Sequence, residues 1–145
     1  MNIDEIQTMW DADCQMSDNH LGEEATKSAL LHSKYIRLIT QVKLKLTKAR
    51  ADYNILRKNK FRYYRGELSR EELLQLGWDQ YQLIKPLKNE MDEILQGDSE
   101  LINLNSKIEY LETMGYLLES ILSQIKARDW QLKTAVEWKR FLAGM

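Results

Sequence analysis

A short stretch at residues 56–66, LRKNKFRYYRG, carries five Lys or Arg residues, three aromatic residues and no acid. Cationic side chains bind phosphates, and exposed aromatic rings stack with unpaired bases for roughly 1–3 kcal/mol each. This combination of residue types is typical of a surface that binds single-stranded nucleic acid. The candidate contact residues are Arg57, Lys58, Lys60, Phe61, Arg62, Tyr64 and Arg65, with Lys45 and Lys48 upstream.

The charge of the chain is strongly uneven, although its net charge is only −1. Residues 1–26 carry seven acids and no Lys or Arg, and residues 67–145 carry fourteen acids against nine bases. Residues 27–66 between them carry twelve bases and a single acid, Asp52. A basic segment of this kind concentrates polyanions around itself and can also attract acidic flanks.

Other interpretations of the cluster stay open from the residues alone. Tyr63 and Tyr64 lie on or near an apolar helical stripe, so both rings can pack instead of stacking on bases. The lysines can form a solvated helix face paired with acids of residues 1–26 or 67–145. A basic helix also suits an acidic membrane, but the apolar stripe is narrow, which disfavours that interpretation.

The cluster lies at the end of a long predicted helix, because no proline and no internal glycine interrupts residues 22–65. Gly66 is the expected end of this helix, since glycine accepts the left-handed cap conformation without strain. Eight of the nine positions 35, 39, 42, 46, 49, 53, 56, 60 and 63 are apolar or aromatic. Steps of three and four place them on one face, a seam that must pack against another helix. At 100° per residue, several cations fall outside this seam and can face a ligand together. They are Lys34, Arg37, Lys45, Lys48, Lys58 and Arg62.

The other elements are also predicted to be helical. A short helix is expected around residues 3–10. Ser69 and Glu72 form a capping box that opens a helix, which we expect to continue to Ile84 and to kink or break at Pro86. Helical sequence resumes in LKNEMDEIL (87–95) and pauses at residues 97–99.

The last helix carries a second seam, with large aliphatic residues at seven of eight positions spaced by three and four from 101 to 125. A seam of this regularity demands a partner, and self-association is the interpretation that buries both seams. The predicted oligomer interface comprises Leu104, Ile108, Leu111, Leu118, Leu122 and Ile125. We therefore predict an all-α fold of long amphipathic helices with heptad-like seams, assembling into a helical homo-oligomer.

Length and composition favour a single domain over residues 1–145. Within it, residues 1–66 would hold the acidic N-terminal helix and the basic helix, and residues 67–145 the oligomerisation region. No apolar run approaches the roughly 20 residues that cross a bilayer, and the acidic N-terminus does not resemble a secretory signal.

Residue types that perform catalysis are few. Cys14 is the single cysteine, which excludes an internal disulfide and fits a reducing compartment. His20 and His32 are twelve residues apart, so they share no helical ligand motif. The acids that could hold a hard cation are Asp11, Asp13, Glu23 and Glu24. We expect a binding protein with no catalytic residue, metal or cofactor, and tightly bound metal would instead indicate a helical enzyme.

Three segments, taken in order, resemble the UvsY family of T-even-type bacteriophages. They are LLHSKYI (30–36), KNKFRYYRG (58–66) and IKARDWQLKTAVEWKRFLAG (125–144). Their order and spacing in a chain of matching length extend the resemblance over nearly all 145 residues.

The resemblance implies a non-enzymatic protein that binds single-stranded DNA without sequence preference. Such proteins help a RecA-like phage recombinase to displace the phage single-strand-binding protein and to nucleate a filament on the DNA. They act in recombination, replication and repair, in the cytoplasm of the infected bacterial host. The resemblance also implies a ring of six or seven subunits assembled through the C-terminal region.

The family's DNA-contacting pair, a Lys and an Arg two residues apart before Tyr-Tyr-x-Gly, corresponds here to Lys58 and Lys60. Lysine at position 60 keeps the charge but loses the planar guanidinium fork. Arg62 stands where the family has an acid, which makes this chain more cationic. The alternative is a coiled-coil adaptor that binds no DNA, in which acidic flanks of neighbouring subunits neutralise residues 27–66.

Overall fold

The structure, a computed structural model that describes residues 1–145, contains five α-helices and no β-strand. The helices are α1 (Ile3–Asp13), α2 (Leu21–Tyr64), α3 (Arg70–Leu76), α4 (Met91–Gln96) and α5 (Ser99–Leu142). The predicted all-α fold is confirmed. No helix has the length and apolarity that a membrane crossing requires.

Helix α2 ends where the sequence predicts it. Gly66 has a φ of 68°, a left-handed conformation that glycine adopts without steric cost. The Gly66 amide donates to the Tyr63 carbonyl, and the Glu67 amide donates to the Arg62 carbonyl. These two hydrogen bonds form a Schellman cap, which satisfies carbonyl groups of the last helical turn.

Helix α3 begins as predicted but ends earlier. The Ser69 side chain accepts from the Glu72 amide and Glu72 accepts from the Ser69 amide, so the predicted capping box is present. The expected continuation to Ile84 is wrong, because Gly77 takes a left-handed conformation with φ 71° and terminates the helix. Residues 78–90 contain neither helix nor strand, and no helix reaches Pro86.

The chain divides into two compact units, residues 1–44 with 111–145, and residues 45–110. In the first unit, Tyr35, Ile39 and Val42 of α2 pack with Ile6 of α1 and with apolar residues of α5. The α5 side chains of this core are Met114, Leu118, Ile121, Leu122 and Ile125.

The second unit has its own core around α4 and the start of α5. Met91, Leu95 and Leu101 are buried there, against partly buried side chains from the second half of α2. Those α2 side chains are Tyr53, Leu56, Phe61 and Tyr64.

Most of the residues predicted as an oligomer interface are buried within the single chain. Leu118, Leu122 and Ile125 belong to the core of the first unit, Ile108 and Leu111 are also buried, and Leu104 is half-buried. The partner that the α5 seam requires is therefore supplied, in the first unit, by helices of the same chain.

Candidate nucleic-acid interface

Three lysines of α2 in the second unit are free cations. Lys45, Lys48 and Lys58 are exposed, and none of them takes part in an ion pair. At 100° per residue they lie within a sector of about 140° around the helix. This surface can accept a polyanion without first losing an internal contact.

Three arginines of the cluster form ion pairs near the surface. Arg57 lies 3.2 Å from Asp92, Arg62 lies 3.0 Å from Glu72, and Arg65 lies 3.4 Å from Glu67. Ion pairs in contact with solvent contribute about 0–1 kcal/mol. A phosphate can replace such a carboxylate at little cost, so these arginines stay available to an anionic ligand.

Lys60 is placed differently from the other cations of the cluster. It is only 6% exposed, and its Nζ lies 3.2 Å from Asp98 and 3.5 Å from Glu100. The same Nζ lies 4.3 Å from the centroid of the Trp78 ring, within the range of a cation–π interaction. Its charge is therefore neutralised inside the second unit.

Asp98 is the centre of this buried network. Its Oδ2 accepts a 2.6 Å hydrogen bond from the Tyr64 hydroxyl, and its Oδ1 caps α5 by accepting from the Leu101 amide at 3.0 Å. Burial raises the pKa of the Asp98 carboxyl, but the hydrogen bonds from Tyr64, Leu101 and Lys60 outweigh it and lower that pKa. Burial and the bond to Asp98 raise the pKa of Tyr64.

The aromatic residues of the cluster pack inside the second unit. Tyr63 makes edge contacts with Tyr64, Trp78 and Tyr81, with ring centroids 5.3–5.7 Å apart. Phe61 packs against the core of Met91, Leu95 and Leu101. These rings are only partly exposed, so much of their surface is used in packing within the second unit.

The sequence thus located the basic surface, but the structure separates its members into exposed and buried groups. Asp98 and Trp78, which determine where Lys60 lies, were not singled out from the sequence. A signal for Lys60 was present, since position 60 is the one polar position of the α2 seam. The helical repeat places position 60 on the apolar face of α2, which is buried by packing. A buried lysine requires a carboxylate partner.

Two of the four acids considered as cation ligands, Asp13 and Glu24, pair with cations in the first unit. Asp13 accepts hydrogen bonds from Lys34 and from the Tyr35 hydroxyl, at 2.6 and 2.8 Å. No three His, Cys, Asp or Glu side chains are grouped so that they could hold a metal ion.

A second buried ion pair, also not anticipated from the sequence, joins α2 to α5 in the first unit. Arg128 is 2% exposed, and its Nη2 donates to the carbonyl and the carboxylate of Glu24 at 2.8 and 3.2 Å. Its Nε donates to Ser28 at 3.1 Å. Hydrogen bonding by Lys27 lowers the pKa of Glu24, burial opposes the shift, and Arg128 lowers the pKa further. The pair connects the first turns of α2 to α5.

The lowered pKa of Asp98 gives the stability of the protein a pH dependence. An unfolded aspartate has a pKa of about 3.9, so the stabilisation is complete above that value and is lost as the pH falls through the lower folded value. We expect Asp98→Asn to be less stable than the wild type at pH 7, with the difference shrinking below about pH 4. Urea unfolding between pH 7 and pH 2.5 measures this, and a difference that does not change with pH would contradict it.

Comparison with known proteins agrees with the sequence resemblance and the fold. A family model described as "Recombination, repair and ssDNA binding protein UvsY" matches residues 9–145. The recombination protein UvsY of Enterobacteria phage T4 is 22% identical over 144 residues, which cover 99% of both chains.

Solved structures support the fold independently. One crystal structure of the bacteriophage T4 recombination mediator protein UvsY superposes with a TM-score of 0.85 at 20% identity, over 99% of this chain and 98% of that chain. A second lattice form has a TM-score of 0.83 at 20% identity, over 94% and 98%. Because the family match spans nearly the whole chain, this protein belongs to the UvsY family of recombination, repair and single-stranded-DNA-binding proteins.

Proposed function

We propose that this protein is a non-enzymatic recombination mediator. It binds single-stranded DNA and promotes loading of a RecA-like recombinase onto DNA covered by the phage single-strand-binding protein, in the cytoplasm of the infected host. The observation that carries the proposal is the exposed, unpaired row of Lys45, Lys48 and Lys58 on one helix of a UvsY-family chain.

The free lysines supply the first contacts with the DNA backbone. Each phosphate contact releases condensed counterions and contributes about −0.7 to the log–log salt slope of single-strand binding. Arg57, Arg62 and Arg65 add contacts by exchanging their carboxylate partners for phosphates. Affinity then comes from charge, which fits binding without base-sequence preference.

Lys60, Phe61 and Tyr64 are assigned a supporting role in this proposal. The Nζ of Lys60 faces Asp98 and Trp78, and moving it to a phosphate would leave a buried carboxylate unpaired. Phe61 and Tyr64 pack against the core of the second unit. These side chains hold the end of α2 in place, and the exposed cations of the helix make the contacts with the DNA.

Self-association is proposed through the C-terminal part of α5 and not through its buried seam. Trp130, Trp138, Phe141 and Leu142 are between 59% and 70% exposed, and the rings of Trp138 and Phe141 stack at 5.5 Å. Apolar exposure of this extent indicates an interface. A ring of six or seven copies would place several basic helices on one strand and multiply a weak single-subunit affinity.

The test of DNA binding compares two triple variants with equal loss of charge. Lys45→Ala/Lys48→Ala/Lys58→Ala removes the free lysines of α2, whereas Lys107→Ala/Lys126→Ala/Lys133→Ala removes three exposed lysines of α5. Binding of a fluorescent oligothymidine is measured by anisotropy over a series of NaCl concentrations. We expect the first variant to lose about 2 from the salt slope, and the second to stay close to the wild type.

Equal losses in the two variants would contradict the assignment of the site. Absence of oligothymidine binding by the wild type at low salt would contradict the proposed function, and would favour the coiled-coil adaptor.

A further inference from the structure

The connection between α3 and α4 exposes a group of aliphatic side chains. Leu83, Ile84 and Leu87 are 74%, 92% and 64% exposed, within the sequence QLIKPLK of residues 82–88. Single exposed leucines are common, but a cluster of large apolar residues on a surface marks an interaction site. The helical cores use none of these three side chains.

The segment is anchored to its own unit on both sides of the aliphatic residues. Tyr81 makes edge contacts with Tyr63 and Tyr64, and Pro86 is buried. Lys85 lies against the end of α2, with its Cε 2.9 Å from where a Cβ on Gly66 would lie. The exposed side chains are therefore presented from a held backbone.

The backbone of this segment is also open to a partner. Residues 79–86 make no hydrogen bond with other backbone groups, although the Ile84 carbonyl accepts a 3.4 Å hydrogen bond from the Tyr81 hydroxyl. Lys85, which precedes Pro86, is restricted to extended conformations. The backbone groups that stay free in this stretch can add hydrogen bonds to the contacts that the exposed side chains make with a partner.

The charges beside the aliphatic residues indicate the chemistry of that partner. Lys85 and Lys88 are exposed and form no ion pair. An apolar cleft with an acidic rim would complement the segment. Three aliphatic residues and two lysines are too few for the apolar face of an interfacial membrane helix.

We propose that residues 82–88 are the docking segment for the recombinase, which would offer an apolar cleft with an acidic rim. This inference rests on the proposed function. The segment belongs to the same compact unit as Lys45, Lys48 and Lys58, and Lys85 touches the end of the DNA-binding helix. A protein held here would lie next to the bound strand. This position suits the recombinase, which must be placed on the DNA, better than the single-strand-binding protein, which must leave it.

The experiment compares two sets of exposed aliphatic residues. Leu83→Ser/Ile84→Ser/Leu87→Ser removes the docking side chains, and Leu30→Ser/Ile36→Ser/Leu44→Ser removes three exposed aliphatic residues of α2. Binding to the purified recombinase of the same phage is measured without DNA by biolayer interferometry. We expect at least a tenfold loss for the first variant and no loss for the second, with unchanged circular dichroism, assembly mass and oligothymidine binding.

Charge reversal provides an independent measurement. Lys85→Glu/Lys88→Glu should weaken recombinase binding at least tenfold while the aliphatic side chains stay in place. If both the serine triple variant and this variant bind the recombinase as the wild type does, the inference is wrong. It is also wrong if the serine triple variant loses only the single-strand-binding protein, or changes the assembly mass, which would indicate contact with a second copy.

The two proposals fail in different ways. A wild type that binds oligothymidine but not the recombinase overturns the docking segment, and the DNA-binding assignment survives. A wild type that binds the recombinase through residues 82–88 but binds no oligothymidine supports the docking segment and overturns the DNA site.

Discussion

Replacing Asp98 with alanine is expected to lower the free energy of unfolding by about 3–5 kcal/mol. The substitution leaves the ammonium group of Lys60 buried beside Trp78 without its nearest carboxylate. It also removes the acceptor of the Tyr64 hydroxyl and the side-chain cap of α5. Removing one member of a buried ion pair costs more than the pair itself contributes, because the remaining charge loses its compensation.

Asp92→Ala is the matched control, since Asp92 also pairs with a cation of α2 but is largely exposed. Its effect should stay within about 1 kcal/mol. Urea unfolding followed by circular dichroism measures both variants at pH 7. Equal stability of Asp98→Ala and Asp92→Ala would show that the Lys60–Asp98 pair does not hold the end of α2.

Replacing Trp138 and Phe141 with serine is expected to break the assembly and to weaken oligothymidine binding by about a hundredfold. The two rings stack on each other and are largely exposed, so their loss removes apolar surface that a neighbouring copy would cover. Separated subunits would retain their lysines but would bind the strand one at a time. The variant would lose the avidity of the linked sites, whereas the affinity of a single subunit for the strand would stay the same.

Native mass spectrometry and anisotropy measure the two effects on the same sample. Tyr116→Ser/Leu44→Ser removes two large apolar side chains that are also 69% and 67% exposed, and should leave mass and affinity unchanged. A Trp138→Ser/Phe141→Ser variant with the mass of the wild type would place the subunit interface elsewhere.

Local features of the chain were predictable where a short-range rule decides them. The spacing of apolar residues by three and four predicted α2 and α5, because it reports the helical repeat directly. The end of α2 at Gly66 and the start of α3 at Ser69 followed from caps, which involve residues only a few positions apart. The early end of α3 does not follow from apolar spacing, because large apolar residues continue beyond Gly77 although the left-handed conformation of Gly77 ends the helix.

The helical class, the faces that must be buried and the position of the basic helix follow from local patterns in the chain. Tertiary packing sets what covers those faces: α1 and α2 cover the α5 seam of the first unit, where a second subunit was expected. It also decided that Lys60 turns to Asp98, 38 positions away in the chain, while Lys58 stays in solvent. A periodic pattern specifies that a side chain is buried, but the partner is set by long-range packing and by the need of a buried charge for an opposite charge.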